Sequence, residues 1–275
     1  MKFITQRYPA GLNTGTTQRK SKTQRGLTLI ELMIAMTVGL ILMLVIGTVF
    51  TSSRQAFRVQ EDNAHIQESG RFALEIIGRS IKQAGHAEVP FTGFKVAFTG
   101  DAITGTDGGA GAPDTLTVQY DGVVGDTSCG TTIGIGEGTI IQNHFNLNVA
   151  NSQLQCQGTH TDTPVAPGPP PVGNPILDNV EDLQILYGID TTGDQSANQY
   201  IEAPATIADP LWGQVVTARV CVLIRSDNTN VVVSAAGTYL DCSRVPITVS
   251  VPADRRLRRA FTGTFNLRNR VNILP

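Results

Sequence analysis

Residues 27–50 form an apolar run of 24 residues in which Glu31 is the only charged side chain. At about 1.5 Å per residue a helix of this length spans about 36 Å, more than the roughly 30 Å hydrocarbon core of a bilayer. Such a run commits the chain to one helix that crosses a membrane or is buried in a helical bundle. A carboxylate five residues into it costs on the order of 2.5–3.5 kcal/mol at the bilayer centre and less near the edge. Glu31 therefore needs a role or a partner. The nearest group of matching charge is an α-amine at Leu27, which exists only if the chain is cut after Gly26.

The residues around that bond carry a recognisable pattern. Lys20, Lys22 and Arg25 precede Gly26-Leu27-Thr28-Leu29-Ile30-Glu31-Leu32. This resembles the class III signal of type IV prepilins and secretion pseudopilins: a basic leader, a Gly, a cut, an apolar first residue and Glu as the fifth mature residue. Leu27 stands where the class usually has Phe, and a leader of residues 1–26 is long for it. The resemblance implies cleavage between Gly26 and Leu27 by a prepilin peptidase and N-methylation of Leu27. It also implies that Glu31 pairs with the α-amine of a neighbouring subunit during assembly.

Charge follows the same division. The leader holds Lys2, Arg7, Arg19, Lys20, Lys22 and Arg25 and no acid, and the remainder has a formal net charge of −8. Positive charge ahead of an apolar run keeps the leader cytoplasmic and sends the rest outward. An ordinary secretory signal would be cut after the apolar region. Thr51-Ser52-Ser53 is small there but lacks the Ala-x-Ala pattern, so an uncleaved anchor is the second reading.

Four cysteines lie in the exported part: Cys129, Cys156, Cys221 and Cys242. An even number in an oxidising compartment reads as disulfides. Three pairings are possible, and locality favours Cys129–Cys156 with Cys221–Cys242. No Cys-x-x-Cys pair occurs, and His65, His86, His144 and His160 do not cluster with the cysteines, which argues against zinc.

The helix is expected to continue beyond Phe50. Residues 51–84 contain no Pro, and Phe57, Ala64, Phe72, Ala73, Ile76, Ile77 and Ile81 recur at helical spacing as one apolar stripe. Gly85 is a natural stop. A helix over 27–84 would be about 87 Å long. Residues 85–275 read as a β-rich head. Short alternating runs mark strands at Leu116–Tyr120, Leu183–Tyr187, Val216–Ile224 and Phe261–Leu267. Pro164 to Pro175 reads as a loop that cannot join a ladder. The expected division is a leader over 1–26, a transmembrane and assembly helix over 27–50, its amphipathic continuation over 51–84 and a head over 85–275.

A long N-terminal helix laid on an antiparallel sheet, an α+β class, is the type IV pilin architecture. Three head segments narrow the resemblance: Val180-Glu181-Asp182 through Asp190, Trp212-Gly213-Gln214 through Ser226, and Arg255-Arg256-Leu257-Arg258-Arg259 through Arg270. Together they resemble the minor pilins of the PilW type. Membership would imply an inner-membrane precursor with its head in the periplasm, later part of a surface pilus. Its partners would be other minor pilins, the major pilin, the prepilin peptidase, the inner-membrane assembly machinery and a tip adhesin. Its role would be initiation of pilus assembly, near the tip. A minor pseudopilin of a type II secretion system shares the signal and fold. A membrane-anchored periplasmic binding protein is the reading from another class.

No nucleophile elbow, phosphate-binding Gly-Lys loop or His-Glu-x-x-His helix occurs, so neither an enzyme nor a cofactor is expected. The Gly-rich runs 105–111 and 134–138 lack the Lys and helix that phosphate binding needs. Arg255, Arg256, Arg258 and Arg259 form a basic cluster. Without interleaved aromatics and with a net charge of −8, they read as solvated side chains or subunit contacts rather than a nucleic-acid surface. Asp190, Asp194 and Asn198 are spaced like ligands of a calcium loop. However, Thr192 and Gln195 break that pattern and the terminal Glu is missing, so a polar hairpin turn is the plainer reading.

Overall fold

The computed structural model describes residues 26–87, 98, 100–109, 111–123, 126–129, 139–161, 173–206, 209–229, 231, 238–248 and 254–269. The leader before Gly26, the 134–138 glycine run, Pro164 to Pro171 and Arg270 lie outside them. The chain divides into two compact units, Met1–Ser52 and Ser53–Pro275.

Helix α1 runs Leu29–Gln83. Thr28 starts it: its Oγ1 accepts the Glu31 N–H at 3.4 Å, the N-cap half of a capping box in which Glu31 holds the third position. In the first unit every described residue is exposed, from Leu27 through Phe50. In the second unit the helix buries Asp62, Ile66, Gly70, Ala73, Ile77, Gly78, Ser80 and Ile81. This corrects the expected stripe, because Phe57, Ala64 and Phe72 are exposed. The contact face uses glycines where side chains were expected. Gly85 ends the helix in the left-handed region at φ 69°, and Asn269 Nδ2 donates to the free carbonyls of Lys82 and Gln83 at 3.0 and 3.3 Å.

Five strands form one antiparallel meander: β1 (Ile103–Thr106), β2 (Thr115–Gly122), β3 (Thr139–Asn148), β4 (Gln153–Thr161) and β5 (Asn174–Asp178), in the order β1-β2-β3-β4-β5. Pro175 belongs to β5 and pairs with Gln155 beside a register shift at Leu154/Gln155. The expectation that this proline stays out of a ladder fails because β5 is an edge strand, where a missing N–H costs no pairing. A second sheet holds β6 (Val180–Ile189), β7 (Gln199–Ile201), β8 (Val215–Arg225) and, past the hairpin of β9 (Thr238–Leu240) and β10 (Pro246–Thr248), β11 (Arg258–Asn266). Its order is β11-β8-β6-β7. The alternating runs at Leu116, Leu183 and Val216 fall inside these strands, and the run at Phe261 does so up to Asn266, with Leu267 one residue past β11.

One core joins helix and sheets. Ile77 and Ile81 of α1 meet Leu116, Val118, Ile141, Phe145 and Leu154 of the first sheet and Leu183, Ile185, Val220 and Val222 of the second, all essentially inaccessible. Tyr187 packs edge-on to Trp212 at 4.8 Å between centroids. The 3-10 turn Pro210–Gln214, capped by the Asp209 side chain at 2.9 Å from the Leu211 N, positions that indole.

The seating of α1 on β11 follows from rise per residue. Gly70 and Gly78 lie eight residues apart on the helix, about 12 Å. Phe261 and Phe265 lie four apart on the strand, about 13 Å. Each phenyl ring fills the place where a Cβ on its glycine would sit, while Leu74, midway between the glycines, meets Gly263, midway between the phenylalanines. Ring faces gap, and gap faces side chain.

Disulfides Cys129–Cys156 and Cys221–Cys242 have Cα separations of 5.7 and 5.6 Å. The first ties the segment before β3 to β4. The second ties the β9–β10 hairpin to β8. Loops of 27 and 21 residues correspond to about 3–4 kcal/mol each by chain entropy.

Candidate assembly site

The N-terminal pattern takes a definite form. Gly26, Leu27 and Thr28 precede the first helical turn and are exposed, and the helix begins only at Leu29. The Thr28 cap therefore leaves the Gly26–Leu27 bond in non-helical backbone. Glu31 lies on the first turn, exposed among exposed apolar side chains. A carboxylate there also complements the positive end of the helix dipole.

The arginine cluster has a different character from the one its sequence implies. Arg258 is held in both forks. Its Nε and Nη2 donate to Glu181 at 2.6 and 3.0 Å, and its Nη1 and Nη2 donate to Asp254 at 2.9 and 2.7 Å. Arg225 reaches the same Glu181 at 3.4 Å, and Arg256 donates to the carbonyls of Ser226 and Asp227 at 2.6 and 2.8 Å. Glu181 reaches this node through a bulge: between Val180 and Asp182 the β6 register shifts against β8. The extra residue lets Val180 and Leu183 both face the core while Glu181 turns outward. Hydrogen bonds from Arg258 hold the Asp254 carboxyl down to about 2. Three of the four arginines thus have intrachain partners or ring contacts: Arg256, Arg258, and Arg259, whose guanidinium lies 5.5 Å from the Phe261 ring.

The Asp190 stretch is organised as a turn. Asp190 Oδ1 accepts from the Thr192 and Gly193 N–H groups at 3.0 and 2.7 Å, and Oδ2 accepts from Gln195 at 2.7 Å. Desolvation opposes ionisation of Asp190, but these backbone donors outweigh it and hold its carboxyl below the usual range. Asp194 accepts from the Ser196 N–H at 2.9 Å, and Asn198 Oδ1 from the Thr191 N–H at 2.9 Å. The oxygens read as calcium ligands are thus turned to the loop's own donors. Among the described residues, no three His, Cys, Asp or Glu side chains gather to hold a metal ion.

A buried acid just before β2 escaped sequence reasoning. Asp114 joins the two sheets: its N–H donates to the Leu183 carbonyl at 2.8 Å, and its carboxylate accepts from Gly108 and Ile185 at 3.0 and 2.7 Å. Burial pushes its carboxyl up to about 6. Its sole sequence cue is its place just before the alternating run of β2.

An exposed apolar helix behind a basic leader, a helix face seated on an antiparallel head, and two disulfides define a pilin-type structural protein. The architecture is type IV pilin-like, a long N-terminal helix and an antiparallel β-sheet head. Residues 141–269 match the family described as type IV pilus-assembly protein W. Residues 21–47 match the prokaryotic N-terminal methylation motif. The 141–269 match takes in β6, β8 and β11, the three strands that meet at the Glu181–Arg258 node. Among solved structures, a type IV-like pilin from Thermus thermophilus is similar at 14% identity and a TM-score of 0.46, covering 74% of this chain and 95% of that one. No curated relative matches the sequence. The chain takes part in type IV pilus or pseudopilus assembly; among the described residues one helix, near the N-terminus, is long and apolar enough to span the membrane, and it precedes a periplasmic head.

Proposed function

We propose that this chain is a minor pilin that helps to initiate assembly of type IV pili and sits near the pilus tip. Prepilin peptidase cuts between Gly26 and Leu27, Leu27 is N-methylated, and residues 27–50 anchor the head in the inner membrane until assembly. Glu31 then pairs with the α-amine of an adjoining subunit, which offsets the cost of a carboxylate in an apolar bundle. Other minor pilins, the major pilin, the inner-membrane assembly machinery and a tip adhesin are the partners. The head is a structural and binding module with no catalytic role. The observation that carries this reading is the pairing of an exposed, non-helical Gly26–Leu27 segment, immediately before the Thr28 cap, with a helix half, residues 29–50, that is exposed throughout among the described residues. Deletion of the gene should abolish or sharply reduce surface pili while leaving protein secretion intact. Loss of secretion with normal piliation would assign the chain to a secretion pseudopilus. Glu31→Val should be processed normally yet recovered poorly in sheared pili, and recovery equal to wild type would remove the pairing.

A further inference from the structure

Helix α1 carries an acid on its buried face. Asp62 is 3% exposed, and its Oδ1 accepts from Asn228 Nδ2 at 2.8 Å. Its Oδ2 is enclosed and has no hydrogen-bond partner. A desolvated carboxylate oxygen in this state costs free energy until a donor reaches it. Asp62 also forms part of the wall of a cavity of about 300 Å³, with Glu61 and His65 from the helix and Asn179, Asp227 and Asn228 from the strand ends. Arg225 lines the same cavity, but its guanidinium is engaged by Glu181 at 3.4 Å and Asn179 at 3.3 Å. The cavity thus offers three carboxylates, one with a free buried oxygen, against one arginine already committed elsewhere. The absence of a three-ligand cluster among the described residues argues against a metal. A cation with directional N–H donors and the bulk of a side chain suits both the charge and the volume.

We infer that this cavity is a socket for a lysine or arginine side chain from a neighbouring pilin subunit, whose N–H groups are accepted by Asp62 Oδ2, with Glu61 and Asp227 at the rim. The inference rests on the assembly reading above. Asp62 lies twelve residues beyond Phe50, where the exposed apolar run ends, so subunits that pack by their N-terminal helices bring neighbouring helices alongside it. The pair would form only on assembly, because within one subunit Arg225 gives its Nε to Asn179 and its Nη1 to Glu181 rather than reaching Asp62.

The test uses the full-length protein in cells, with two variants and two readouts: recovery in sheared pili, and melting temperature of the detergent-purified chain. Asp62→Asn keeps the size and the Asn228 contact but removes the charge. Its recovery should fall about tenfold or more, the scale for losing one member of a desolvated charge pair, with its melting temperature near that of wild type. Gly78→Ala, which crowds the Phe265 ring and lies outside the cavity, leaves Asp62 and its surroundings untouched. It should lower the melting temperature and leave recovery close to wild type. Asp62→Asn recovered as well as wild type overturns the socket. So does a loss of recovery that tracks melting temperature across both variants, since Asp62 would then only brace the Asn228 loop. Wild-type protein absent from sheared pili overturns the assembly reading first, and the socket with it.

Discussion

Arg258 is gripped through both forks of its guanidinium with its side chain 11% exposed, so loss of Glu181 or Asp254 strips a mostly buried charge of one of its two counter-ions. In the sequence it is one of four near-identical arginines, and nothing there separates it from its neighbours, because Glu181 lies on another strand and Asp254, just upstream, is close in sequence to all four. Asp254 and Asp114 carry opposite pH signatures. The folded pKa of Asp254 is depressed from 3.8 to about 2, so its contribution is present above about pH 4 and is lost as pH falls toward 2. The folded pKa of Asp114 is raised from 3.8 to about 6, so its contribution is full below about pH 4 and declines as pH rises through 6. Thermal melts of the detergent-solubilised chain should show Asp254→Asn flattening the acid limb and Asp114→Asn flattening the pH 4–6 limb. Unchanged limbs would remove the roles given to these groups. Asp190 is legible by type but not by use: its spacing points to calcium, whereas its oxygens organise a turn. Asp190→Ala should lower the melting temperature equally with and without millimolar calcium. A stabilisation by calcium that only the wild type shows would restore the ligand reading.

At the scale of elements, strands with clear alternation were legible from their side chains alone, since burial on one face is a local property. The helix contact face was not. Its pattern is written partly in glycine, and a search for apolar spacing selects Phe57 and Phe72, which face outward, over Gly70 and Gly78, which face β11. The bulge at Glu181 was equally hidden, because it exists only relative to the register of β8. Replacing Gly78 by Ala puts a methyl group into the Phe265 ring. The gain in helix propensity, about 1 kcal/mol, is smaller than the overpacking penalty of about 1–3 kcal/mol. Gly78→Ala should therefore be destabilising in denaturant melts, and Gly78→Ala with Phe265→Leu should recover part of the loss. A stabilised single variant would mean that the ring moves aside freely.

For the whole molecule, the apolar run, the Gly26–Glu31 pattern and the strand content were legible because each is a property of contiguous residues. The Asp62 cavity, the Arg258 node and the Asp114 bridge between sheets were not, since each joins residues more than 50 positions apart. The central claim is that the chain is cut at Gly26–Leu27, keeps its apolar helix and enters a filament by it. The most direct measurement is mass spectrometry of the N-terminal peptide of this protein from sheared pili, beside the Gly26→Arg variant. The account predicts an N-methylated Leu27 terminus for wild type, and for Gly26→Arg an uncut chain absent from pili. An intact Met1, a terminus after Phe50, or a normal Leu27 terminus in the Gly26→Arg protein would contradict it.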